Sequence, residues 1–72
     1  MLEQLRKLIQ ALPFRAFRLE LSSGRQVRVP HRDHIMVTTK GIIVVEDDDG
    51  LVDIIPAFHL SAINCEGSIS PA

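Results

Sequence analysis

The apolar positions of this chain change period once, and that change divides it into two kinds of structure. Leu2, Leu5, Leu8, Ile9 and Leu12 fall at helical spacing, with Glu3, Gln4, Arg6, Lys7 and Gln10 between them. That spacing predicts one apolar stripe on a helix of about three turns. Pro13 ends it, because proline disfavours α geometry at the residue before it. A helix this short is marginal alone in water, so its stripe must dock on the rest of the chain.

From Phe17 the period is two. Phe17, Leu19 and Leu21 alternate with Arg18, Glu20 and Ser22, the pattern of a half-buried strand. Arg25, Val27 and Val29 alternate with Gln26 and Arg28 in the next. Ser22-Ser23-Gly24 between them suits a three-residue hairpin loop with Gly24 in the left-handed position. That register sets Leu19 opposite Val27, Phe17 opposite Val29 and, on the other face, Arg18 opposite Arg28. Pro30 interrupts the sheet, since it has no N–H to donate. His31-Arg32-Asp33-His34 reads as a polar turn, Ile35–Thr38 as a strand and Thr39-Lys40-Gly41 as a turn. Ile42-Ile43-Val44-Val45 is apolar on both faces and so calls for cover on both, from the interior on one side and from the helix or another subunit on the other. After the Glu46–Gly50 turn come a strand at Leu51–Ile55, a short helical turn at Pro56–His59 and a last strand at Leu60–Cys65. The expected fold is mainly β with an N-terminal α-helix: a small barrel of about five or six short antiparallel strands. Residues 1–66 form one helix-capped domain in this reading, and residues 67–72 a flexible tail.

Composition narrows the function classes. The 72 residues include no Trp or Tyr and three Phe, so the core is aliphatic and no aromatic platform for stacking bases is evident. Cys65 is the sole cysteine, which excludes an internal disulfide. No signal-peptide pattern or membrane-spanning apolar run is present, and a cytoplasmic protein is the expectation. Net charge is −1 but unevenly spread. Residues 1–40 carry all eight bases and three acids, a net of +5, whereas residues 41–72 carry six acids and no base, a net of −6. Either the halves pack so that their charges interleave, or the molecule has a basic and an acidic face.

Motifs for chemistry are sparse. His31-x-Asp33-His34 could offer metal ligands, with His59 joining in space, but a structural zinc site usually takes four ligands and the one thiol is distant in sequence. Asp47-Asp48-Asp49-Gly50 fails as a calcium loop: with Gly50 at the sixth position, Val45 falls at the first and Pro56 at the twelfth. It reads instead as an acidic hairpin tip. No nucleophile elbow or phosphate loop occurs, and Ser61 near His59 implies no third catalytic group. The expectation is a non-enzymatic protein with no metal or other cofactor. Arg18 and Arg28, with Arg32 nearby, are the candidate anion site, because guanidinium forks suit phosphate or carboxylate.

Two resemblances add to this. Pro13-Phe14-Arg15-Ala16-Phe17, Ser23-Gly24-Arg25 and Val29-Pro30-His31 resemble a set of short uncharacterised bacterial proteins with a Pro-Phe-Arg-x-Phe start, a Gly-Arg hairpin and a Val-Pro-His step. That resemblance brings no activity and no functional residues. The succession of helix, strand meander and helical turn before the last strand is similar to Sm-like and SH3-like small barrels. Pro56–Ile63 resembles the last-strand region of the bacterial Sm-like RNA chaperone, where a Lys-His pair lines an RNA-binding pore; His59 matches the histidine and Phe58 replaces the lysine. The resemblance implies an Sm-like nucleic-acid binder using Arg18, Arg28, Arg32 and His59 as one reading. The leading expectation is a small binding or assembly module that acts by forming a homo-oligomer, with Ile42, Ile43, Val44 and Val45 at the contact.

Overall fold

A computed structural model describes residues 1–66; the tail expected at 67–72 lies outside the described residues. The helix α1 spans Leu2–Gln10, and six strands come after it: β1 Phe17–Leu21, β2 Gln26–Val29, β3 Ile35–Val37, β4 Ile42–Glu46, β5 Val52–Pro56 and β6 Leu60–Cys65. Single 3-10 turns, Arg32–His34 and Ala57–His59, precede β3 and β6. The helix stops two residues short of the expected Leu12, and the Leu12–Pro13 peptide is cis.

All pairings are antiparallel, in two three-stranded sheets of order β2-β1-β6 and β3-β4-β5. The β1–β2 register is the one the alternation predicts: Phe17 faces Val29, Leu19 faces Val27 and Arg18 faces Arg28. The closed barrel is not formed. Among the described residues no strand ladder joins the two sheets, and the two corners show why. Pro30 comes directly after β2 and Pro56 ends β5, so each corner lacks a backbone donor, and a 3-10 turn breaks the ladder beyond it. Strands of three to six residues are too short to bend through such a corner and serve both sheets.

Three hairpins use one device. Gly24, Gly41 and Gly50 each donate the backbone N–H to the residue three positions earlier (Leu21, Thr38 and Asp47) and each has φ between 85° and 92°. A side chain at Gly24 would meet no atom within 4 Å. The penalty for Gly24→Ala is therefore purely conformational, roughly 1 kcal/mol or more. An unchanged chemical-denaturation midpoint for that variant would refute this account of the turn.

The core is aliphatic apart from Phe17. Leu5, Phe17, Leu19, Val27, Val29, Ile35, Ile43, Val45 and Ile55 are buried, with Leu21 at their margin. Leu5 brings α1 into this cluster, and Leu2, Leu8 and Ile9 pack around it. Arg6, Ile9 and Gln10 line a groove with Ile35–Val37 of β3, and Gln4, Lys7 and Leu8 line another with Ile63 of β6. On the inner side of β4 packs β2 of the other sheet, and the helix joins the same core through Leu5. It does not cover the other side.

Candidate functional site

Alternation along β4 sends Ile43 and Val45 inward, where both are fully buried, and leaves Ile42, Val44 and Glu46 on the outer face. The register extends that face across the sheet. Met36, Val44 and Ile54 form one cross-strand row, Ile42 sits beside Pro56, and Glu46 beside Val52. Met36 is 56% exposed, Val52 58% and Ile54 70%. The four residues expected at a self-association contact therefore divide: Ile43 and Val45 belong to the core, and Ile42 and Val44 to an uncovered apolar sheet surface. Met36, Val52 and Ile54 complete that surface. The alternation of Val52, Ile54 and Pro56 carries a signal for β5, but only the register places them beside Val44.

The two ends of this sheet differ in charge. At the β3–β4 turn stand Lys40, exposed, and Arg6, whose guanidinium donates to the Thr38 carbonyl at 3.2 Å. At the β4–β5 turn stand Glu46, Asp47, Asp48 and Asp49, with Asp33 in the 3-10 turn before β3 at the same end. The Asp47 carboxylate accepts from the backbone N–H groups of Asp49 and Leu51, both at 2.9 Å, which fixes the acidic tip.

The arginines expected to bind an anion do not form one site. Arg18 and Arg28 do lie side by side, and their Nε atoms converge on one oxygen of Glu66 at 3.1 and 2.9 Å. Arg28 also reaches Asp48 at 3.3 Å. Nothing in the local pattern marks Glu66, at the end of β6, as their partner. It stands 38 residues from Arg28 in sequence, and only the β1–β6 pairing brings it there. Arg32 is engaged elsewhere. Its guanidinium donates to the carbonyls of Ile9 at 3.0 Å and of Ala11, and lies over the Phe14 ring. It satisfies carbonyls at the end of α1 that have no partner within the helix. His59 lies at the other end of β6 from Glu66, about 23 Å along the strand. Its Nδ1 is 3.4 Å from the Ser22 hydroxyl, and its ring packs on Phe58. Ser61 turns away and donates to the Glu20 carbonyl at 3.1 Å. The rings of His31 and His34 are 5.9 Å apart. Among the described residues no three potential metal ligands cluster.

With Arg25–Asp53 at 2.9 Å, these ion pairs tie the basic half of the chain to the acidic half. The charges interleave on the sheets that hold the pairs. Comparison of the chain with protein-family models, with curated proteins and with solved structures gave no match. Among the described residues no helix is long and apolar enough to cross a membrane.

The double hydrogen bond from Arg28 holds the Glu66 carboxyl below the usual carboxylate range, against the opposing pull of partial burial, and Arg18 adds to the effect. Arg28 is raised in turn, chiefly by the same bond, and stays charged. A lowered folded-state pKa means that this carboxylate stabilises the fold above the unfolded value, about 4.3, and ceases to do so as pH falls through the folded value. Wild type is expected to exceed Glu66→Gln in stability at pH 7, with the gap closing in acid. Denaturation midpoints of the two proteins across pH provide the check. A gap that persists undiminished at pH below about 2 would refute the ionic origin.

Proposed function

We propose that this protein is a small non-catalytic assembly module that works by self-association through the outer face of β3-β4-β5. The observation that carries this reading is the row Met36–Val44–Ile54, an apolar cross-strand row on a face that α1 leaves uncovered. Isolated apolar residues on a surface are ordinary, but a contiguous apolar face on the central strand of a sheet is not. The sheet twist lets a second copy of the same face lie on it, as two sheets pack in a sandwich. The order of elements, with a 3-10 turn before a last strand that returns to β1, supports the Sm-like or SH3-like reading of the small fold. Function does not follow from that likeness.

Sedimentation velocity over a concentration series tests the proposal. The expected result is a shift from one chain of 8.0 kDa to a larger closed species as concentration rises. A single-chain mass up to roughly millimolar protein would overturn it.

A further inference from the structure

We infer that the second copy docks on this face in one orientation, a twofold stack in which the strands of the two sheets run antiparallel. This inference rests on the self-association reading and adds what selects the geometry. The outer face is charged oppositely at its two ends, with Lys40 at one and Asp33, Glu46, Asp47 and Asp49 at the other. Lys40 stands four residues before Val44 and the acidic tip four residues after it, each about 13 Å along the strand. A twofold axis through the Met36–Val44–Ile54 row, perpendicular to the strands, lays Lys40 of each copy over the acidic tip of the other. An axis along the strands instead lays Lys40 over Lys40 and tip over tip. Like charges set against each other so are repelled, and that arrangement is disfavoured.

Size shows why the ends matter. Three strands at about 4.8 Å spacing and five residues at about 3.3 Å cover on the order of 250 Å² in projection. A stable interface buries about 800 Å² on each partner. Apolar contact alone is therefore too small to hold a tight dimer, and the two end contacts contribute a substantial share of both affinity and orientation. The Lys40 and Asp49 side chains make no ion pair among the described residues. The tip holds its shape through the Asp47 carboxylate, so both positions can change without disturbing the fold.

The experiment is sedimentation equilibrium of the full chain at about 50 mM salt, where end charges are weakly screened. The variants are Lys40→Glu, Asp49→Lys and the two together, each with a far-UV circular dichroism spectrum matching wild type. Lys40→Glu is expected to raise the dimer dissociation constant by about fivefold or more, because it sets a glutamate against the acidic end twice over. Asp49→Lys weakens binding to a lesser degree, since Asp33, Glu46 and Asp47 remain. The double variant regains much of the loss, because the two introduced charges are of opposite sign and face each other across the contact. A wild-type dimer that Lys40→Glu leaves within about twofold overturns the antiparallel stack. The parallel stack gives that result, since it exchanges one like-charge contact for another, and so does pairing through a sheet edge. Weakening by Lys40→Glu with no recovery in the double variant also overturns it. A wild-type protein that never dimerises removes the self-association reading itself.

Discussion

Phe17→Ala is expected to cost about 3–5 kcal/mol and so to shift the denaturation midpoint strongly. The residue starts β1, the central strand of its sheet, and is fully buried between Val29 of β2 and Cys65 of β6 in register. Its ring also meets Phe14 at 5.7 Å, which fixes the segment between α1 and the sheet. A domain of 72 residues has roughly 4–11 kcal/mol of total stability. One truncation here removes a large share of that, where Gly24→Ala removes a small one. Denaturant titration followed by circular dichroism gives the measurement. A loss under about 1 kcal/mol would mean that the core can close around the cavity, contrary to the packing described.

The second large effect separates assembly from folding. Ile54→Lys should abolish self-association while changing the stability of the single chain by no more than about 1 kcal/mol. Ile54 lies on an edge strand, 70% exposed, at one end of the apolar row. A charge there must be desolvated in the stacked pair and stays in water in the single chain. Sedimentation velocity beside wild type at matched concentration reads the first half, and a denaturation midpoint reads the second. Persistence of the larger species in Ile54→Lys would move the contact to another surface.

Local pattern makes much of this architecture legible. The period of α1, the alternation of β1 and β2 and their glycine-closed loop lead to the register found, down to Arg18 opposite Arg28. The β-branched run of β4 marks a strand apolar on both faces, of which Ile43 and Val45 form the buried one. What cannot be read depends on distant partners. Arg32 has the pattern of a surface base in a polar turn, and its contacts with Ile9 and Ala11 lie 23 and 21 residues away. Glu66 is one more acid beyond the last strand until β6 pairs with β1. The open pair of sheets differs from the expected barrel for a related reason. Alternation reports which face of a strand is buried, but not whether a ladder continues past Pro30 or Pro56.

The way the core is closed also bears on the stoichiometry of the proposed assembly. Because the inner side of β4 packs into the core with β2 and α1, the β3-β4-β5 sheet has one apolar face left to offer. A contact that uses the same patch on both molecules consumes it on both, so growth stops at the pair. Under the proposed pairing the sheet would have no second apolar face on which to add copies, and so would escape the stacking that turns such sheets into fibres. The core that buries Ile43 and Val45 would then also limit the assembly to two.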